Sequence, residues 1–318
     1  MLKYFTFRFL SIFPMLFLVA VIIFIGLQLT PGDPLTYMIP PEILSSADFD
    51  LEAYKKAMGL DAPVYVQFFN WFINLLQGKL GYSLVDGSDI GKMIANRLPA
   101  TFELAFAALI ISSILGILLG LLSSIKQNSA MDYTNTVIGI IGISIPEFFI
   151  GIIAIQVFAI WLGWLPVGGR IAYGGEGFFD RLQHLILPAL VLGFSLTAAL
   201  MRYTRGTMLD VLGKDYVKTA RSKGLPEWKV IVLHAFRNAL MPVVLLLCFR
   251  LPLLMGGTVI IEAVFGWPGM GGLILNAVSA KDYPVVMIAT LLVACMVLFA
   301  SFLVDLLTAL LDPRVRFE

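Results

Sequence analysis

"DYVKTARSKGLPEWKVIVLHAFRNALMP", residues 215–242, is the stretch whose reading decides the fold. It is basic, is broken once by glycine, and runs back into apolar sequence. Taken as one helix over 210–224, it puts Lys214, Lys218 and Arg221 on one face and Leu212, Tyr216 and Ala220 on a neighbouring, less polar face. Gly224 can take the left-handed conformation that ends a helix, and Pro226 can restart one. Glu227 then falls in the first turn of the next helix, where the dipole favours an acid. That helix is expected to pass Trp228, Ile231 and Phe236 and to reach the membrane at Pro242. A loop that only held positive charge near lipid would not need two capped helices with apolar faces. Such faces suit a groove in another protein.

The rest of the chain explains why an elbow is needed. Of 318 residues, 59% are hydrophobic and 14% charged, and the mean hydropathy is +0.91. Soluble domains are roughly 25% charged, so this composition specifies an integral membrane protein. Six apolar stretches, at 9–29, 99–124, 135–162, 184–205, 241–262 and 284–310, can each span about 30 Å of hydrocarbon as a helix. Their continuity excludes the alternating strands of a barrel. The first follows Lys3 and Arg8 and is too long for a signal-peptide core, so it is expected to be a retained helix.

With the N-terminus inside, the inner segments carry thirteen Lys and Arg against eight outside. Eight of the thirteen lie in one cluster: Arg202, Arg205, Lys214, Lys218, Arg221, Lys223, Lys229 and Arg237. Both termini are therefore expected to be cytoplasmic. The chain reads as a single transmembrane domain with a large extracytoplasmic loop at 30–98 and a cytoplasmic loop at 206–240. The outer loop offers two helical patterns, at 50–58 and 64–77. The second places Phe68, Trp71, Phe72, Leu75 and Leu76 at helical spacing, as for a helix lying on the membrane or on its own bundle.

The elbow resembles the cytoplasmic "EAA" loop of ABC-importer permeases, in the form seen in the oligopeptide, dipeptide and nickel branch. Ala220 and Gly224 match the pattern; Lys218 and Thr219 replace its first two letters, and Pro242 comes late. "YVKTARSKGL" and "HAFRNALMPVV" are typical of the peptide-permease branch. So are "LTPGDP" (29–34), "LPATFELA" (98–105), "SIPEFFIG" (144–151), "GWLPVGG" (163–169), "VIIEAVFGWPGMG" (259–271) and "VDLLTALLDPRVR" (304–316). The resemblance covers the whole chain in order.

It implies an all-helical permease of six transmembrane helices with the type I importer fold, in a bacterial or archaeal cell membrane. The elbow would be the coupling helix, meeting a cytoplasmic ATPase through Tyr216, Lys218, Ala220, Arg221, Lys223 and Gly224. It implies a second homologous permease chain, two ATPase chains and an extracytoplasmic solute-binding protein. Peptide cargo is expected, oligopeptide before dipeptide, with nickel as the alternative. A stand-alone secondary transporter is the reading from another class; it would favour internal repeats, and none is evident.

Four ionisable residues fall within the apolar stretches. Arg250 lies eight residues past Pro242, and Glu147 follows Pro146. Glu262 and Asp305 lie near the ends of the fifth and sixth stretches and are expected to be structural. Glu147 and Arg250 either neutralise a partner, each other included, or line the substrate path, with Gly256 and Gly257 as further path candidates. Gly116 and Gly120 form a GxxxG step suited to close helix contact. Gly139, Gly142, Pro146 and Gly151 make the third stretch able to kink.

No catalytic constellation is found. His184 and His234 are the only histidines, so a HExxH metal motif is impossible. Cys248 and Cys295 sit in apolar runs and read as small hydrophobes. "GSDIGKM" (87–93) has the wrong glycine spacing for a phosphate loop and no Ser or Thr after Lys92. Neither a cofactor nor a metal is expected in this chain, and no nucleic-acid partner; ATP hydrolysis is expected in separate chains.

Overall fold

The computed structural model describes residues 2–29, 61–175 and 177–311. The helical pattern at 50–58 lies outside the described residues. The elements in order are α1 (Leu2–Gln28), α2 (Val64–Leu76), α3 (Ile90–Ile125), α4 (Ala130–Ser144) and α5 (Glu147–Ala154). A π-helical segment, Ile155–Trp161, continues α5. Then come α6 (Phe178–Leu212), α7 (Asp215–Ser222) and α8 (Glu227–Lys229). A second π-helical segment, Val230–Phe236, joins α8 to α9 (Arg237–Gly257). The chain ends with α10 (Val259–Val264), α11 (Met270–Ser279) and α12 (Tyr283–Leu311). Among the described residues the only β pairing is an isolated bridge, Tyr82 to Asp89.

Five helices are long and apolar enough to cross a membrane unaided: Phe5–Gln28, Ile90–Ile125, Phe178–Leu212, Glu227–Leu254 and Tyr283–Ala309. The third expected span is instead broken. Its halves, Ala130–Ser144 and Glu147–Trp161, meet at 105°. Pro146 is the cause, because its ring disfavours helical geometry at the residue before it. Ile145 is accordingly extended, with φ −88° and ψ 129°. Counting the bent pair as one span gives the expected six.

Boundaries move as well. The second and fourth spans extend well past 99–124 and 184–205, since a helix that leaves the bilayer keeps its backbone bonded by continuing. The fifth starts at Glu227, not 241, so Pro242 and Pro252 lie inside α9 and Pro226 is the stop.

Of these elements, α6 is central. It packs against α3, α4, α5 and α9, while α12 packs against α9, α1 and α11. Small residues set the closest approach. A Cβ at Gly116 would lie 2.8 Å from the Leu200 side chain, and one at Gly120 would lie 2.6 Å from the Met201 carbonyl oxygen. The GxxxG step is therefore the seam of α3 on α6. A Cβ at Gly139 would lie 2.7 Å from the Met201 side chain and one at Gly142 would lie 3.1 Å from Ala198 and Phe194, which seats α4 on the other flank of α6. In lipid such packing, not water exclusion, drives helix association.

Helix α2 lies on its own bundle. Phe68 is buried and its ring meets Phe17 and Phe24 of α1 at 5.8 and 5.3 Å between centroids. Met287 and Leu291 of α12 complete this cluster. Val64, Tyr65, Phe69, Ile73 and Leu76 stay exposed on the other face. At the far end of α1, Arg8 pairs with Asp305 of α12 at 2.5 Å.

Candidate functional site

The elbow begins earlier than a single helix over 210–224 would allow. Helix α6 stops at Leu212, where the Gly213 N–H caps the Leu209 carbonyl at 3.2 Å. Lys214 is extended, and α7 starts afresh at Asp215. A glycine followed by an extended residue breaks the helix that the face pattern alone had joined. Helix α7 then turns Val217 and Ala220 inward against Val230, with Val211, Leu212 and Leu225 around them. Val217 and Val230 are fully buried.

Gly224 ends the elbow with φ +73°, a value costly for any side chain, and its N–H donates to the Arg221 carbonyl at 2.9 Å. Across the turn, Arg221 clasps Glu227: Nη2 donates to Oε1 at 2.7 Å and Nε donates to both oxygens at 3.2 and 3.3 Å. The Glu227 carboxylate holds the Arg221 guanidinium above its ordinary value. Lys218 donates to Asp215 at 3.0 Å. Tyr216, Lys218, Lys223 and Trp228 are exposed, and the Lys229 ammonium sits 5.5 Å from the Trp228 ring centre. Thus the named elbow residues divide. Tyr216, Lys218 and Lys223 face outward; Ala220 serves the internal seam; Arg221 and Gly224 fix the turn.

The root of the elbow is tied to α4. Asp132, in the first turn of α4, is 2% exposed and accepts both Nε and Nη2 of Arg205 from α6, at 2.7 and 2.8 Å. Its Oδ2 also accepts the Asn128 N–H at 3.0 Å, and the Ser129 hydroxyl accepts the Asp132 N–H at 3.3 Å. The Ser129–Asp132 spacing is a capping signature visible in sequence. The pairing with Arg205, 73 residues away, has no local signal.

At the opposite end of the bundle, Glu262 of α10 is 1% exposed. Its Oε1 accepts the hydroxyls of Thr101 and Thr258 at 2.7 and 2.9 Å. Its Oε2 accepts the Gly271 and Gly272 N–H groups at the start of α11, at 2.7 and 3.2 Å. Thr101 also accepts the Met270 N–H, and Trp267 Nε1 donates to the Ala100 carbonyl. Gly269 has no room for a side chain, since a Cβ there would sit 2.2 Å from the carboxylate. The α5–α6 loop joins in: the Gly169 N–H donates to the Phe265 carbonyl at 2.8 Å. Glu262 therefore binds the α10–α11 hairpin to α3, as a structural acid. Beside it, Arg170 of that loop donates to both oxygens of Glu103 on α3.

Glu147 and Arg250 do not neutralise each other; among the described residues no ion pair joins them. Glu147 stands half-buried at the bend between α4 and α5, facing Ser195 of α6. Arg250 is half-buried on α9. Gly256 is exposed near the end of α9, and Gly257 is its last residue. Separately, an apolar cavity of about 330 Å³ opens between α3, α4 and α6, walled by Leu115, Ile138, Phe194 and Met201 among others.

A helical bundle of six spans, one of them broken, with a stiff polar elbow clasped at one end, defines a membrane-embedded transport subunit. Comparison with known proteins gives the family. Residues 112–317 match the model of the binding-protein-dependent transport system inner membrane component, and residues 1–105 match that of its N-terminal region. An oligopeptide transport system permease protein of Bacillus subtilis is 39% identical over 319 residues, covering all of both chains. A glutathione transport system permease protein of Escherichia coli K12 is 36% identical over 318 residues, again covering all of both. A protein of Brucella suis biovar 1 that carries a peptide-permease name is 41% identical over 318 residues, covering 99% of each. The chain belongs to the binding-protein-dependent family of ABC-importer permeases, in its peptide branch.

Proposed function

We propose that this chain forms half of a translocation path for peptides and that α7 is the handle through which separate ATPase chains move it. The observation that carries the reading is the construction of the elbow. A buried Val217–Ala220–Val230 seam, a left-handed Gly224 and the Arg221–Glu227 clasp make it rigid, while Tyr216, Lys218, Lys223 and Trp228 are left outward. Only a rigid element can transmit a rigid-body shift. The elbow lies in the cytoplasm in this reading, as do both termini. A second permease chain completes the path, and an external binding protein delivers cargo. The relatives' names support peptides, oligopeptide before dipeptide, and do not favour nickel. The chain carries no cofactor of its own and makes no covalent change to its cargo.

The test is crosslinking in native membranes. Tyr216→Cys and Lys218→Cys should form crosslinks to an ATPase chain, with yields that change when ATP is added. Cysteine at Ala220, which faces the internal seam, should crosslink poorly. If neither exposed position captures an ATPase chain, with or without ATP, the handle reading is wrong.

A further inference from the structure

Arg250 is a half-buried charge on α9 with no carboxylate partner among the described residues. Its depth is defined by its place on α9: Arg237 lies thirteen residues before it, and Gly257, the last residue of the helix, seven after. At 1.5 Å per residue that is roughly 20 Å of helix on one side and about 10 Å on the other. A side chain so deep in a hydrocarbon layer about 30 Å thick cannot reach the headgroups at little cost. A lipid phosphate is therefore a poor partner.

Its position around α9 is equally specific. Val243 and Leu254, on the neighbouring stripe, are buried in the bundle, while Phe249 and Leu253 are exposed. Arg250 lies on the border between the two, half-buried. Three arginines nearer the ends of the bundle have carboxylates: Arg8 has Asp305, Arg170 has Glu103, and Arg205 has Asp132. Among the described residues Arg250 has none. Two residues on, Pro252 has no N–H, so the Cys248 carbonyl lacks its intrahelical donor. This turn of α9 thus presents an unpaired guanidinium and a backbone acceptor at mid-depth. Backbone left open at that depth is tolerated where it lines a cavity or is covered by protein, not where it faces lipid.

We infer that Arg250 receives the C-terminal carboxylate of the peptide as it crosses. This inference rests on the peptide-permease reading above. The chemistry is direct. A carboxylate entering the bilayer loses its hydration, and a guanidinium on the path replaces it with paired, charge-assisted hydrogen bonds. The same side chain, left unpaired, disfavours a neutral C-terminus.

The experiment uses the complete importer, with both permease chains, the ATPases and the binding protein, reconstituted in vesicles. Uptake is measured for one peptide as the free acid and as the C-terminal amide. Both are supplied at concentrations that saturate the binding protein, so that differences in capture cancel. The wild type should carry the acid faster by at least about tenfold, the scale of one charge-assisted hydrogen bond. Arg250→Gln should bring that ratio close to one, and Arg250→Lys should keep most of it. An unchanged ratio in Arg250→Gln overturns the inference. So does loss of the second permease chain from the purified Arg250→Gln complex, which would make that chain the source of the anion. A wild-type importer that carries neither form would instead refute the peptide reading itself.

Discussion

Replacing Glu262 tests the latch of the α10–α11 hairpin most sharply, because the structure predicts different costs for different substitutes. Glu262→Gln keeps the shape. Its carbonyl can face the Gly271 and Gly272 N–H groups while its amide faces Thr101 and Thr258, whose hydroxyls can rotate to accept. The loss is then confined to the charge on bonds that all survive, about 1 kcal/mol. Glu262→Ala removes every acceptor. The two N–H groups lose their partners in a buried site, at about 1–3 kcal/mol each, and the hydroxyls add less because they can turn elsewhere, so the sum is about 3–5 kcal/mol. Gly269→Ala should be at least as damaging as Glu262→Ala, because its Cβ would lie 2.2 Å from the buried carboxylate carbon and force the carboxylate away from all four donors. The assay is unfolding of the purified chain in detergent, followed by accessibility of the buried Cys248 thiol. The order should be wild type, Glu262→Gln, then Glu262→Ala with Gly269→Ala. If Glu262→Ala unfolds with Glu262→Gln, or Gly269→Ala with the wild type, the four-donor latch is not what holds the hairpin.

Two further outcomes follow from the packing. At the root of the elbow, Arg205→Ala should destabilise more than Asp132→Ala, because it strands a carboxylate whose side chain is 4% exposed, whereas the Arg205 side chain is 29% exposed and can reach water. Breaking a buried pair costs about 3–5 kcal/mol, and the arginine's exposure places Asp132→Ala below that range; melting of the two variants in the same detergent orders them. At the α3–α6 seam, Gly120→Leu should separate the helices and cost about 1–3 kcal/mol, since even a Cβ would come within 2.6 Å of a backbone oxygen. Gly206→Leu, with open space around its Cβ position, is the control and should melt like the wild type.

Much of the architecture was legible from residues 1–318 alone. The spans announce themselves because lipid admits only closed hydrogen bonding, so a long apolar run has one conformation available to it. Gly224 and Pro226 mark the elbow's turn through backbone chemistry that operates locally. Gly116 and Gly120 mark a seam because only small residues let helix axes approach. The kink at Pro146 is visible for the same local reason.

What tertiary structure decided is everything that depends on facing. Helical spacing put Ala220 beside Tyr216, yet Ala220 turned inward because Val230, ten residues on, closes over it. Asp132 found Arg205, and Glu262 gathered donors from α3, from Thr258 just before α10, and from α11, across separations of up to 161 residues that no pattern encodes. Glu147 and Arg250 were recognisable as misplaced charges, but whether they meet depends on the arrangement of α5, α6 and α9. The physical reason is that helix formation is settled by bonds within about four residues, whereas the choice of partner is settled by which side chains the packed bundle brings within about 3 Å.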